Sequence, residues 1–293
     1  MCDDNTLADN ERYLKNRPFT LTRRGVAQGM LGSAVLGLLP RGVFADALES
    51  SDVEVKTPDG TADAFFVHPA KGSHAAVLIW PDILSLRPAF RAMASRLAGH
   101  GYAVLVVNPY YRSVRAPVVS EGDTFANPSV REKVFPLARS LTPATNVTDA
   151  NAFIDFLDAQ SSVDTSRGVG TMGYCMGGPM TMRTAAARAD RVLAGASFHG
   201  GRLVTDGSDS PHLLVPKMQA SYLFAIAEND DEKEPEAKNV LRESFRAAGL
   251  SAEIEVYEGA MHGWCPPDSP VYHEAQAERA WQRLLALFET ALA

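Results

Sequence analysis

Apolar residues along the chain occur in two patterns, as short continuous runs and as helical faces. The runs at 75–80 and 103–107 contain apolar residues alone, which indicates strands buried on both faces of a sheet. A weaker alternation over 61–67 indicates an edge strand. Further strands are predicted at 168–172, 194–198, 222–227 and 252–257.

Stretches with helical spacing separate these strands. One face of the stretch 88–98 carries Phe90, Met93, Ala94 and Leu97. Other helices are predicted at 129–141, 144–159, from the glycines after 172 to 188, at 235–248 and at 271–293, with a loop over 110–128. The alternation of strand and helix predicts an α/β fold with a mainly parallel central sheet and helices on both faces. Because no repeat or linker divides it, 48–293 is predicted to form one domain.

The first 47 residues have a different pattern. Residues 1–21 are polar and irregular, whereas Arg23 and Arg24 precede an uncharged stretch at 27–39 and the small residues Ala45 and Ala47. This order is typical of a cleavable signal peptide of the twin-arginine type. It predicts a periplasmic or secreted protein. The alternative is an N-terminal helix packed on the domain of an uncleaved, cytoplasmic protein.

Composition narrows the class of protein. The 293 residues are 46% hydrophobic and 22% charged, with a net charge of −7, which is typical of a soluble globular protein. An acidic surface repels phosphate backbones, so no nucleic-acid partner is expected. No stable membrane association is expected after processing, and the oligomeric state stays open. No structural-zinc spacing and no nucleotide-binding glycine motif is present, so neither metal nor cofactor is expected.

The most specific motif surrounds Cys175. The run Gly-Tyr-Cys-Met-Gly-Gly at 173–178 lies between a predicted strand and a predicted helix. This is the setting of a nucleophile elbow, with sulfur in place of the usual hydroxyl. The N-terminus of the following helix favours thiolate over thiol. The alternative is a small buried cysteine in a glycine-rich contact between helix and sheet.

A thiol nucleophile needs a base and an acid that orients the base. Asp230 and His262 follow the next predicted strand ends in the order nucleophile, acid, histidine that α/β-hydrolases use. Asp231 or Glu228 could be the orienting acid instead of Asp230. His199 also follows a strand and is interpreted as a structural or pocket-wall histidine.

These motifs resemble the dienelactone hydrolase family, whose characterised members are carboxymethylenebutenolidases. The resemblance covers nearly all of 50–290 and depends most on 173–178, on the Asn-Asp at 229–230 and on the His-Gly-aromatic at 262–264. It implies an α/β-hydrolase fold with Cys175 as nucleophile, His262 as base and Asp230 as its orienting acid.

The resemblance implies further site residues. The backbone amides of Ile83 and Met176 would form the oxyanion hole. Asp82 stands where the best-known members carry a glutamate linked to thiol activation, and it is one methylene shorter.

Substrate-binding residues are also implied. Arg131, Phe135 and Trp264 would contact substrate, although an arginine on a solvated helix would look the same as Arg131. The family's second carboxylate-binding arginine is replaced by Pro266. The residues that could compensate are Tyr111, Arg112 and Arg115.

The sequence therefore predicts a hydrolase of a small-molecule carboxylic ester or lactone that works through a Cys-His-Asp triad and a thioester acyl-enzyme. Two alternatives remain open at this point. One is a hydrolase of the same fold that acts on a thioester or peptide bond. The other is a non-catalytic secreted binding protein in which Cys175 is structural.

Overall fold

The computed structural model describes residues 4–16 and 47–293. Helix α1 (Asp4–Asn16) lies within the predicted leader, so the expectation that residues 1–21 are irregular was wrong for these thirteen. The arginine pair, the uncharged stretch and Ala45 lie outside the described residues, which begin again at Ala47. Within the described parts of the chain, no helix is long and apolar enough to cross a bilayer.

Eight strands form one sheet in the order β1-β2-β4-β3-β5-β6-β7-β8. They are β1 (Leu48–Thr57), β2 (Gly60–Pro69), β3 (Ala76–Trp80), β4 (Ala103–Val107), β5 (Val169–Tyr174), β6 (Val192–Phe198), β7 (Ser221–Ala227) and β8 (Ala252–Tyr257). Strand β2 runs antiparallel to both β1 and β4, and all other pairs are parallel. The predicted α/β fold with a mainly parallel sheet is confirmed.

Strand β1 is absent from the sequence prediction, and it changes the position of its neighbour. All ten residues of β1 pair with β2, so the prediction of an edge strand at 61–67 was wrong. Only Val55 of β1 is fully buried. A strand that exposes most of its side chains at a sheet edge carries too few apolar residues for the alternation to be recognised.

Helices cover both faces of the sheet. The helices are α2 (Pro88–Ala98), α3 (Pro128–Ser140), α4 (Pro143–Asp158), α5 (Gly177–Ala187), α6 (Glu228–Lys233), α7 (Ala237–Ala247) and α8 (Glu274–Ala291), with a 3-10 helix at Pro211–Lys217. Helices α2 and α8 pack in one apolar cluster with Val77 and Ile79 of β3. Helices α4, α5 and α7 pack in the other with Leu78 and Trp80. Alternate residues of β3 therefore enter opposite cores, which explains its continuous apolar run.

The strand order determines where a ligand can bind. After β3 the chain moves to β4 on one side, and then crosses to β5 on the other side of β3. The carboxyl ends of β3 and β5 thus form a topological switch point, where open α/β sheets bind ligands. Trp80 of β3 pairs with Gly173 of β5. Asp82 and Cys175, each two residues further on, therefore come out of the sheet side by side.

Candidate active site

Cys175 occupies a sharp turn between β5 and α5. Its φ angle is +53°, in the left-handed region that residues with side chains rarely adopt. A Cβ atom on Gly173 would lie 2.2 Å from the carbonyl oxygen of Gly177, and one on Gly177 would lie 2.3 Å from that of Trp80. The glycines are therefore required by close backbone contacts, and they allow the turn to hold Cys175 at the switch point.

His262, on the loop after β8, is paired with Asp230, on the short helix α6 after β7. The Nδ1 atom of His262 lies 2.7 Å from Oδ2 of Asp230, and the His262 side chain is fully buried. The backbone N–H of His262 donates to Oδ1 of the buried Asn229 at 2.8 Å. Asn229 thus fixes the loop, while Asp230 fixes the ring. Asn229 belongs to the Asn-Asp motif at 229–230, but no role was predicted for it.

The structure distinguishes between the acids that the sequence left open. Asp231 forms an ion pair with Lys238 at 2.6 Å, and Glu228 accepts the backbone N–H of Gly259 at 2.7 Å. Asp230 alone of the three bonds to the imidazole of His262. Asp230 and His262, which were chosen as acid and base partly from their order along the chain, are therefore in direct contact.

The charges around His262 favour its protonated form. Burial lowers its pKa, but the Asp230 carboxylate, the Cys175 sulfur and hydrogen bonds to both outweigh burial and raise the pKa of His262 to about 9. Cys175 also acts on Asp82 and on His199 through its charge. The predicted nucleophile, base and acid therefore form one electrostatic unit.

His199 forms a wall of the same site. Its ring lies 5.1 Å from that of His262 in an edge-on contact, and its φ angle is +40°. Burial and the neighbouring His262 lower the pKa of His199 to about 3. His199 is thus a neutral ring beside a charged one, in agreement with its interpretation as a pocket-wall residue.

Asp82 is held by Arg87. Its two carboxylate oxygens accept from Nη1 and Nη2 of Arg87 at 2.7 and 2.9 Å, and Arg87 also binds Asp268 at 2.7 Å. Burial raises the pKa of Asp82, and the charge of Cys175 adds to that effect, whereas Arg87 opposes it. Asp82 therefore lies close enough to Cys175 to act on it electrostatically, while its carboxylate accepts hydrogen bonds from Arg87 and from the backbone N–H of Leu84 at 2.9 Å.

Comparison with known proteins agrees with this geometry. The model of the dienelactone hydrolase family matches residues 62–292. The chain belongs to the dienelactone hydrolase family. The predicted family, its α/β-hydrolase fold and the enzyme class of hydrolase are thereby confirmed.

Two relatives and one solved structure illustrate the similarity. A protein of Methylorubrum extorquens named "Putative carboxymethylenebutenolidase" is 26% identical over 245 residues, which cover 82% of this chain and 80% of that one. The carboxymethylenebutenolidase of Rhodococcus opacus is 25% identical over 245 residues, or 80% and 88% of the two chains. The structure of a Klebsiella pneumoniae protein named "Putative Dienelactone Hydrolase" has a TM-score of 0.71 at 21% identity, and covers 83% of this chain and 99% of that chain.

The two residues whose backbone amides are predicted to form the oxyanion hole line the cavities at Cys175. Ile83 and Cys175 border both a cavity of about 500 Å³ and a smaller one of about 110 Å³. Met176 borders the larger cavity. The hydroxyl of Tyr110 donates to the carbonyl of Ile83 at 3.0 Å and lies 3.2 Å from Sδ of Met176. Tyr110, which the sequence did not single out, thus ties together the two loops that carry the predicted oxyanion-hole amides.

The residues implied to bind substrate separate into two groups. Phe135 lines the larger cavity. Arg131 borders neither cavity, and its guanidinium donates to the carbonyls of Phe125 and Ala126 at 3.0 and 2.6 Å. Trp264 is fully buried and stacks on Tyr257 at 4.8 Å. Arg131 therefore ties the start of α3 to the loop that precedes it, and Trp264 lies in the core.

The three residues that could compensate for Pro266 already have partners of their own. Arg112 binds the buried carboxylate of Asp149 at 2.7 Å, and Tyr111 donates to the same carboxylate. Arg115 pairs with Glu54 at the surface. None of the three borders either cavity at Cys175, so recognition of an anionic substrate would need other residues.

Helix α1 covers the smaller cavity. Thr6, Leu7 and Asn10 border it from one side, opposite Cys175 and His262. The Asn10 side chain donates to the carbonyl of His262 at 3.4 Å, and Asp9 pairs with Lys233 of α6 at 2.6 Å. A segment of the predicted leader is therefore part of the wall of the candidate active site.

Proposed function

We propose that this member of the dienelactone hydrolase family hydrolyses a carboxylic ester or lactone, with Cys175 as nucleophile, His262 as base and Asp230 as the acid that orients it. The observation that carries the proposal is the 2.7 Å contact of His262 Nδ1 with Asp230 Oδ2, beside a cysteine in a strained elbow. The names of the two carboxymethylenebutenolidase relatives support an ester or lactone as the substrate.

The reaction begins from a Cys175 thiolate beside a His262 imidazolium. The Cys175 thiolate attacks the carbonyl carbon, and the electron pair of the carbonyl moves to its oxygen. The backbone amides of Ile83 and Met176 stabilise this oxyanion by hydrogen bonds. When the C–O bond breaks, the His262 imidazolium gives its proton to the departing alkoxide, which leaves a thioester on Cys175.

Deacylation repeats the steps with water. Neutral His262 takes a proton from water as the hydroxide adds to the thioester carbonyl, and the C–S bond then breaks. Cys175 returns to the thiolate and His262 to the imidazolium, while the carboxylic acid leaves. The Asp230 carboxylate keeps the same ring orientation throughout, because it accepts from Nδ1 in both states.

The test is a screen of small esters and lactones on purified protein beside its Cys175→Ala and His262→Ala variants. Both changes should abolish turnover of 4-nitrophenyl esters while circular dichroism remains that of the wild type. The matched control is Cys265→Ala, because this second buried thiol borders neither cavity at Cys175. Wild-type turnover in either triad variant would refute the assignment, and an inert wild-type thiol would favour a binding protein.

We further propose that the leader directs the protein to the periplasm or the exterior through the twin-arginine route. The paired Arg23 and Arg24 before an uncharged stretch support this route. Changing both to Lys should retain the unprocessed chain in the cytoplasm. Sequencing of the mature N-terminus tests cleavage after Ala47, and recovery of an intact N-terminus from the wild-type periplasm would contradict it.

A further inference from the structure

The larger cavity at Cys175 carries an excess of positive charge. The charged side chains that border it, besides Cys175, are Arg139, Arg183, Arg202 and Asp209. Three guanidinium groups therefore oppose one carboxylate. Because a narrow cleft concentrates the field of the charges that line it, this arrangement favours an anion inside the cavity.

Arg183 is the most deeply placed of these arginines. It lies on α5, the helix that begins next to Cys175. Its Nε atom is buried and has no hydrogen-bond partner in the described parts of the chain, and its Nη2 atom reaches only the carbonyl of Asp209 at 3.5 Å. Burial lowers the pKa of Arg183, and the like charge of Arg202 lowers it further, although Asp209 raises it. Arg183 thus has donors that no group within residues 4–16 and 47–293 uses.

Asn146 on α4 gives a second, independent sign of a ligand. Its side chain is 2% exposed and borders the same cavity. Neither its Nδ2 nor its Oδ1 atom has a hydrogen-bond partner within residues 4–16 and 47–293. Buried amides are rarely left without partners, so both ends of Asn146 are available to a group that enters the cavity.

We propose that Arg183 and Asn146 form a subsite for an anionic group, a carboxylate or a phosphate, that an ester substrate carries at a distance from its scissile bond. The proposal rests on the proposed function and specifies the substrate class of that site. Arg183 supplies the planar guanidinium that suits an anion with two oxygens. Asn146 supplies an amide N–H that donates a hydrogen bond to the same group.

The helix sets the length of the substrate. Arg183 lies six positions after Gly177, the first residue of α5, which at a rise of 1.5 Å per residue is about 9 Å along the helix axis. An anion held at Arg183 therefore lies well beyond the groups attached directly to the reacting carbonyl. An extended half-ester of an eight-carbon dicarboxylic acid spans this distance. A six-carbon one spans about two thirds of it, and the long side chain of Arg183, which on a helix points back toward the N-terminus, covers the rest. A four-carbon one is too short.

The experiment compares mono-4-nitrophenyl esters of succinic, adipic and suberic acids with their methyl-capped neutral counterparts. The wild type should prefer the charged ester in the longer acids by about tenfold or more in kcat/KM, because hydrogen bonds to charged groups are worth that much. Arg183→Met should remove this preference through KM and leave the neutral esters unchanged. Arg183→Lys should keep part of it. The matched control is Arg246→Met, because Arg246 pairs with Glu243 at the surface and borders neither cavity at Cys175.

A measurement of ligand binding tests the subsite independently of turnover. The Tm of the Cys175→Ala variant should rise with monomethyl adipate, and added Arg183→Met should remove the rise. A phosphonate in place of the carboxylate distinguishes the two anions by the larger rise. Turnover of neutral esters without any charge preference, or a Tm rise that survives Arg183→Met, would overturn the subsite and leave the hydrolase intact. No turnover of any ester together with an Arg183-dependent Tm rise would refute the proposed function instead.

Discussion

Arg87 and Asp82 form a buried bidentate ion pair beside Cys175, with Nη1–Oδ1 and Nη2–Oδ2 distances of 2.7 and 2.9 Å. The side chains of Arg87 and Asp82 are 6% and 12% exposed. The charge of the Asp82 carboxylate next to Cys175 is thus balanced by Arg87, which lies five residues later on the same loop, directly before α2. This pairing explains how a negative charge is tolerated beside a thiolate.

Removal of Arg87 should destabilise the protein. Arg87→Met leaves the Asp82 carboxylate buried without its partner, and breaking such a pair costs about 3–5 kcal/mol. Urea denaturation should show this loss in the free energy of unfolding, and adding Asp82→Asn should recover part of it. Arg115→Met breaks a surface pair with Glu54 and should leave stability nearly unchanged. Equal effects of the two arginine changes would contradict the structural role of the buried pair.

The contact of Asp230 with His262 predicts unequal effects of two neighbouring carboxylates. Asp230→Asn should lower kcat by roughly 10³- to 10⁴-fold, because the imidazole loses its fixed orientation and its stabilising charge. Asp231→Asn should leave kcat within about threefold, because Asp231 pairs with Lys238 and acts through no catalytic group. Steady-state kinetics on a 4-nitrophenyl ester measure both. A larger loss in Asp231→Asn would transfer the orienting role to that residue.

The raised pKa of His262 predicts the pH dependence of turnover. With a pKa of about 9, His262 is protonated at neutral pH and loses its charge as the pH rises through 9. Transfer of a proton to the leaving alkoxide then fails, so kcat/KM should fall above about pH 9. A profile that keeps rising through that region, as a free thiol ionises, would contradict the ion pair.

The raised pKa of His262 also makes the free energy of unfolding depend on pH. A histidine whose pKa rises from its ordinary 6.5 on folding stabilises the protein fully below that pH, and the stabilisation is lost as the pH rises through 9. The Asp230→Asn variant should lose part of this dependence, because the Asp230 carboxylate is the first of the groups that raise the pKa. Urea titrations at pH 6 and 9.5 on both proteins measure the difference.

The features that could be predicted from the sequence are those in which the backbone geometry restricts the type of residue at a position. Continuous apolar runs correspond to strands whose two faces enter two cores. Gly173 and Gly177 mark the elbow, because any side chain there would collide with backbone. The choice of Asp230 over Asp231 came from the family resemblance, since the pattern of residues alone leaves both open. Adjacent residues of α6 point in directions about 100° apart, and only the docked helix decides which one faces His262.

Other parts of the site depend on contacts between distant segments. Arg87 and Asp268 are 181 residues apart and meet only because two loops cross above the sheet. Arg183 and Asn146 lie on helices whose apolar faces are the recognisable pattern, while their polar residues look like those of any solvated face. The packing of α1 over His262 was also hidden, because its residues are polar and its contacts involve backbone and single side chains.

Helix α1 predicts that the chain without its leader has a more accessible site. Thr6 is 3% exposed, and Asn10 contacts the loop of His262, so α1 closes one side of the smaller cavity. A chain of residues 48–293 should therefore react faster at Cys175 with a bulky maleimide than the full chain does, while the small reagent iodoacetamide shows a lesser difference. The matched full-length control is Asp9→Asn, which weakens the pair with Lys233 and should give an intermediate rate. If the truncated and full chains react equally with both reagents, α1 does not restrict access to the thiol.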